Sequence, residues 1–144
     1  MIPIKKTKII VLPIFKIAVM PSSVLNTNTS FINVTNLSLT LSEPGLYRLL
    51  MYVRSTVNLP AKFVVFRFFN QTTSTVVTES ETGTGLDNIG TFTSSQNSTS
   101  IEVFLTINST TIITVQTKGS TETGTGVVSD VNGRSVMTAI GYRF

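Results

Sequence analysis

Residues 101–117, IEVFLTINSTTIITVQT, contain two runs in which apolar and polar side chains alternate. In the first run every odd position from Ile101 to Ile107 is apolar, while Phe104 adds an aromatic ring to the otherwise polar side. After the Asn108-Ser109 connection, residues 112–117 continue the pattern. A period of two is the side-chain period of a β-strand with one buried face. The stretch therefore predicts two consecutive strands.

The same alternation extends over most of the chain. Apolar side chains occupy the odd positions of 37–41 and 47–53, and Val136, Ile140, Tyr142 and Phe144 share one face at the end of the chain. Segment 61–69, AKFVVFRFF, is apolar on both faces apart from a Lys and an Arg, which predicts a central strand. Turn signals separate these runs at 43–45, 58–60, 83–85 and 132–133. The pattern predicts an all-β fold, a jelly-roll-like antiparallel β-sandwich with an extended N-terminal arm.

The composition favours assembly over catalysis. The chain has 144 residues, the size of one domain, and it contains no Cys, His or Trp. Without His it lacks the usual general base and the commonest transition-metal ligand, so we expect no enzyme and no cofactor. Only 12% of the residues are charged, about half the usual fraction of ~25%. A surface of hydroxyls and amides keeps monomers apart poorly, which favours a protein packed against something else.

The excess positive charge lies at the N-terminus. Lys5, Lys6, Lys8 and Lys16 are the only charged residues before Glu43, and they account for the net charge of +4. Residues 1–24 are therefore predicted to form a basic, apolar arm, and residues 25–144 a single sandwich domain. Apolar runs near position 10 resemble a signal peptide, but a Pro and a Lys interrupt them, and no run reaches the ~20 residues of a membrane span.

The arm is the predicted assembly element. An apolar extended segment of this kind can add a strand to a neighbouring subunit's sheet, with packing back on its own body as the alternative. Four lysines without interleaved aromatic rings are few for phosphate binding, so we expect no specific nucleic-acid reader. The predicted assembly residues are Lys5, Lys6, Lys8, Ile9, Ile10, Val11, Leu12, Ile14 and Phe15.

Three further features suggest modification or chemistry. Six N-x-S/T triplets, twice the number expected by chance from this composition, are candidate glycosylation sites at Asn28, Asn33, Asn36, Asn70, Asn97 and Asn108. The sequence DVNG at 130–133 offers alternating oxygen ligands to calcium, although Asn-Gly is also a favoured hairpin turn. Seven carboxylates, mostly in predicted loops, leave a paired-carboxylate glycosidase as a remote alternative.

The order of segments resembles the globular heads of the tumour-necrosis-factor and complement superfamily, of the kind also found in viral structural proteins. The resemblance rests on Phe31 with the strand after it, on EPGLY at 43–47 entering the next strand, on VVFRFFN at 64–70, and on AIGYRF at 139–144. It departs from the family at Asn108-Ser109, where a Gly-Asp turn is usual. It implies a ten-strand jelly roll that usually forms trimers and contacts ligands at loops or subunit seams.

The leading functional hypothesis is a virion structural protein, a capsid, decoration or spike subunit, on the virion surface or otherwise extracellular. Its partners would be further copies in a homotrimer and other capsid or surface proteins. One alternative is a trimeric head that binds a receptor or glycan. Another is a cell-surface filament subunit whose arm completes the sandwich of the next copy.

Overall fold

A computed structural model describes residues 2–3, 12–57, 62–85, 95–121 and 124–144 of the chain. Throughout those ranges the chain forms strands and no helix, as the alternating pattern predicts. The strands are β1 (Ile14–Val19), β2 (Ser23–Asn26), β3 (Ile32–Leu41), β4 (Gly45–Val57), β5 (Phe63–Asn70), β6 (Thr75–Val76), β7 (Thr82–Gly85), β8 (Ser95–Ile107), β9 (Thr111–Gly119), β10 (Thr125–Ser129) and β11 (Val136–Arg143).

The strands form two antiparallel sheets. In sheet A, β8 pairs with one side of β4 along all thirteen of its residues. On the other side of β4, β11 and β10 lie end to end, and β1 and β2 in turn pair with them. In sheet B, β9 lies between β3 and β5, and both β6 and β7 pair with the free side of β5. Each sheet is therefore four strand positions wide.

The pairing is nested from the ends of the chain toward its middle. The first strands pair with the last, β3 pairs with β9, β4 with β8, and β5 with the short strands that follow it. A long hairpin of such nested pairs, wrapped so that alternate pairs fall in opposite sheets, is a jelly roll. The predicted fold, an antiparallel sandwich of the jelly-roll kind, is confirmed.

The core lies between the two sheets and uses the predicted faces of most strands. Alternate side chains of β4 are fully buried, among them Tyr47 and Leu49, and they meet Phe66 and Phe68 from β5 of the other sheet. The closing strand turns its smaller residues inward. Met137, Ala139 and Gly141 are buried, whereas the bulky set that includes Ile140 and Tyr142 faces outward.

The second half of the predicted arm belongs to the sandwich. Residues of β1 pair with β11 of the same chain, from Ile14 opposite Gly141 to Val19 opposite Val136. Met20 is fully buried, and β2 crosses the predicted boundary at residue 24. Ile14 and Phe15 therefore pack back on their own body, which is the alternative to strand donation. Leu12 is exposed, and its carbonyl oxygen accepts a 2.8 Å hydrogen bond from Arg143.

The remaining predicted arm residues lie outside the described ranges: Lys5, Lys6, Lys8, Ile9, Ile10 and Val11.

Three ion pairs join residues that are far apart in the sequence, and they make the fold sensitive to acid. Arg48 binds Glu102 and Arg54 binds Asp130, each at 2.6 Å, and Arg143 binds Glu43. In every pair the hydrogen bond from the guanidinium holds the pKa of the carboxyl below its ordinary value.

We therefore expect stability to be lost on acidification rather than near neutrality. A carboxyl group whose pKa is lower in the folded than in the unfolded state stabilises the fold at pH values above its unfolded-state pKa of about 4. This contribution disappears as the pH falls through the folded-state pKa. The chain has no His to titrate between pH 5 and 8. The melting temperature should be flat at neutral pH and fall at acidic pH. In Asp130→Asn the fall should be shallower, whereas Glu79→Gln, which removes a carboxylate with no ion pair in the described residues, should follow the wild type.

Candidate functional site

The outer face of sheet A carries a contiguous set of exposed apolar side chains, here called the apolar face. It spans four neighbouring strands, β1, β11, β4 and β8. Its most exposed members are aromatic: Phe15 is 63% exposed and Phe104 61%. Its exposed members are Phe15, Ile17, Val19, Leu46, Tyr52, Phe104 and Tyr142, and the half-buried Leu50, Val136 and Ile140 lie among them.

The strand register makes these residues neighbours. Phe15 lies opposite Ile140, and Ile140 lies opposite Arg48, which in turn lies opposite Phe104. Two rows farther on, Val19, Val136 and Tyr52 follow each other across the same strands. Side chains in such rows are about 5 Å apart, so they touch.

The two charged residues at the centre of the apolar face neutralise each other. Arg48 donates a 2.6 Å hydrogen bond to Glu102, and both side chains are partly exposed. The ion pair adds no net charge to the face. With strands about 4.8 Å apart and a rise of about 3.4 Å per residue, the face measures roughly 15 Å by 20 Å. That is large enough for the apolar centre of a protein–protein interface.

The first strand places its larger apolar side chains on this outer face. Phe15, Ile17 and Val19 point outward, while Ile14, Lys16 and Ala18 point toward the sandwich. A shift of one residue would exchange the two sets, because the side-chain period of a strand is two. Three large apolar groups in water would make this register costly for an isolated subunit, at about 25 cal/mol for each Å² left uncovered.

The outer face of sheet B carries a network of polar side chains beside apolar ones such as Phe69 and Ile112. Arg67 donates to the side-chain oxygen of Gln116 through Nε at 3.0 Å and through Nη2 at 2.9 Å. The amide nitrogens of Gln116 and Gln71 both donate to Asn33 at 3.1 Å. The guanidinium of Arg67 also lies 3.6 Å from the ring centroid of Phe31. The outer face of sheet B therefore differs from the apolar face in carrying this hydrogen-bonded polar network.

The candidate glycosylation residues all lie away from the apolar face. Asn28, Asn33, Asn36 and Asn108 are exposed, and Asn70 and Asn97 are half-buried. Asn33 and Asn36 flank a bulge in β3 of sheet B, where Asn36 has a φ of 62°. Asn97 is in β8, but it lies opposite the fully buried Ser55 and so points away from the outer face. Glycans at these positions would leave the apolar face open.

The sequence at 130–133 forms a tight turn. Asp130 and Gly133 pair through two backbone hydrogen bonds, with Val131 and Asn132 at the tip. The Asp130 carboxylate accepts from the backbone N–H of Asn132 at 2.8 Å and from Arg54 at 2.6 Å. The oxygen proposed for calcium is thus occupied by a cation of the chain itself. In the described part of the chain, no three acidic side chains cluster as a metal site would require.

Two carboxylates share an open cleft of about 400 Å³ beside β8, which is lined by Thr78, Glu79, Glu102, Val103 and Phe104. A general acid of a glycosidase needs a raised pKa. The hydrogen bond from Arg48 instead lowers the pKa of Glu102, so this group is an anion at neutral pH. The cleft ends on Phe104 and continues the apolar face.

Comparison with known proteins finds no protein-family model that matches the chain and no curated protein that matches its sequence. Within the ranges that the structure describes, the chain has no helix long and apolar enough to cross a membrane.

Sequence reasoning identified Phe15 but missed most of the apolar face. One signal was available, since Phe104 interrupts the polar side of an alternating strand. The residues that share the apolar face with Phe104 come from strands up to 89 residues away in the chain, and only the sheet order reveals them. Phe31 and Arg67 were likewise recognised separately, as parts of two strands, and not as a contact.

Proposed function

We propose that the chain is a non-enzymatic structural subunit of a virion, a capsid, decoration or spike protein, and that its copies pack together through the apolar face. The observation that carries this proposal is the set of exposed apolar side chains across β1, β11, β4 and β8. An apolar patch of this size on a protein surface is often a functional contact surface. A low charge density and a jelly-roll body also support it.

Closed assembly is favoured over strand exchange. The position beside β11 that a donated strand would occupy is filled by β1 of the same chain. A self-complementary contact between two apolar faces gives a closed dimer. A head-to-tail contact gives a ring such as the proposed trimer when its rotation closes, and a filament when it does not. The glycosylation candidates on other surfaces agree with a subunit exposed on a virion or outside the cell.

Light scattering behind size-exclusion chromatography tests the proposal on the full chain. The wild type should elute as a closed oligomer at micromolar concentration. Phe104→Ser should weaken its association at least tenfold, because a few large aromatic side chains commonly carry much of the affinity of an interface. The double variant Phe15→Ser/Phe104→Ser should be a monomer. Both side chains are mostly exposed in the single chain, so the variant should keep the wild-type melting temperature when both proteins are compared at a concentration where both are monomeric.

Ile112→Ser is the matched control, since Ile112 is an exposed apolar residue on the outer face of sheet B. This variant should assemble like the wild type. A wild type that stays monomeric at every concentration, or equal dissociation of the Ile112 variant, would refute the apolar face as the contact. Electron microscopy of the concentrated protein separates the alternatives: closed rings or shells support a virion subunit, and open fibres support a filament.

A further inference from the structure

Two cationic side chains converge on one aromatic ring on the outer face of sheet B. The Arg67 guanidinium carbon lies 3.6 Å from the centroid of the Phe31 ring, and Lys118 Nζ lies 4.8 Å from it. Three strands meet here, because β9 brings Lys118 opposite Val65 of β5 and Gln116 opposite both Arg67 and Asn33. We call Phe31, Asn33, Arg67, Gln116 and Lys118 the Phe31 patch.

No acidic side chain among the described residues neutralises either cation. No ion pair joins Arg67 or Lys118 to an acidic side chain in the described ranges. The carboxylate of Glu81 interacts with Arg67 through its charge, but the two side chains are too far apart to form an ion pair. The Phe31 patch is therefore a local positive region on a face otherwise built of amides, hydroxyls and apolar groups.

The guanidinium of Arg67 is held in place without being neutralised. Its Nε and Nη2 atoms both donate to Gln116 Oε1, a neutral amide oxygen in the place where a bidentate carboxylate would usually bind. Gln116 is almost fully buried and is itself oriented by Asn33. The remaining nitrogen, Nη1, has no hydrogen bond to another described residue in this network. The cation is preorganised for a further acceptor.

Because Arg67 is half-buried, binding of an anion at this position would be favourable. Arg67 is half-buried, and desolvation lowers its pKa, which means that its charge is poorly solvated. An oxyanion placed against Nη1 and Lys118 Nζ would replace the missing solvation with charge-assisted hydrogen bonds. Exposed hydroxyl groups lie in the adjoining rows of the same face: Ser38 and Thr40 of β3, opposite Thr114 and Ile112 of β9. Such neighbours suit a ligand rich in hydroxyls.

We propose that the Phe31 patch binds an acidic glycan, through a carboxylate or sulfate group of the sugar that accepts hydrogen bonds from Arg67 and Lys118. Two cations on a flat face with neighbouring hydroxyls fit one anionic sugar better than a nucleic acid, which needs a track of positive charge along its backbone. The affinity of one site should be about millimolar, and repetition in an assembly would raise the avidity.

The test is an NMR titration of the ¹⁵N-labelled full chain, prepared without glycosylation so that Asn33 carries no sugar over the patch. Three matched probes are used: 3′-sialyllactose with a carboxylate, lactose 3′-sulfate, and neutral lactose. Shifts of the Arg67 Nε–H and of the Gln116 and Lys118 amides are expected with either acidic sugar. The tighter binder of the two acidic sugars shows whether the patch prefers a carboxylate or a sulfate. Neutral lactose should bind at least tenfold more weakly than either acidic sugar.

Variants of the two cations complete the test. Arg67→Gln and Lys118→Gln should each weaken binding of the acidic sugar at least tenfold, while melting temperatures show that both variants fold. Arg134→Gln, which removes the same charge from an exposed loop, is the control and should bind like the wild type. The proposal is wrong if the Arg134 variant loses as much affinity as the Arg67 variant, if lactose binds equally well, or if inorganic sulfate alone binds as tightly as the acidic sugars.

Discussion

Replacing Gly141 with Ala should lower the free energy of unfolding by about 3 kcal/mol and the melting temperature by about 10 °C. Gly141 lies opposite Tyr47 in the pairing of β11 with β4. A Cβ atom at Gly141 would lie within 2.8 Å of the Cδ1 and Cζ atoms of the Tyr47 ring. The ring cannot retreat, because it is fully buried and its hydroxyl donates a 2.7 Å hydrogen bond to the Glu43 carbonyl oxygen.

A double-mutant cycle isolates the contact with the ring. Urea unfolding is measured for the wild type, Gly141→Ala, Tyr47→Leu and the double variant, all at one protein concentration because assembly shifts apparent stability. In the Tyr47→Leu background the additional cost of Gly141→Ala should fall below about 1 kcal/mol, since the obstructing ring is gone. An equal cost in both backgrounds would place the effect in the backbone and contradict the proposed clash.

The strands and their buried faces were predictable where only one face is apolar. In β4 and β8 the odd positions are apolar and the even ones more polar, so the sequence pattern alone predicts that the odd positions face the core. In β11 the same logic favours Ile140 and Tyr142, yet the structure buries Ala139 and Gly141. The reason is volume, because the Tyr47 ring already fills the space against which that strand packs.

Both candidate sites depend on strand order, which the alternation does not encode. The apolar face joins β1 to β8 through two intervening strands. The Phe31 patch joins Phe31, Arg67 and Lys118 from three separate parts of the chain. The local sequence pattern determines which side chains each strand places on its outer face. The nested pairing of the jelly roll determines which strands are neighbours, and therefore which of those side chains come together. This is why the arm was recognised as apolar while its pairing with β11 was left open.

Replacing Phe68 with Ala should cost about 4 kcal/mol, the largest effect that we expect from a single substitution here. Segment 61–69 is apolar on both faces, so its sequence does not say which of its aromatic rings point inward. The structure settles this: Phe68 is fully buried and lies opposite Val115 at the centre of sheet B, whereas its neighbour Phe69 is half-buried on the outer face.

Phe69→Ala is the matched control, because it removes the same ring from the next position of the same strand. Its cost should be near 1 kcal/mol, since that ring leaves a partly solvated surface beside Arg67 instead of an enclosed cavity. Urea unfolding measures both variants, and equal slopes would show that the midpoint shifts report stability. If the Phe69 variant lost as much stability as the Phe68 variant, the register of β5 would be wrong. The proposed binding site at the Phe31 patch would then also be wrong, because Arg67 faces outward only in the register that points Phe68 into the core.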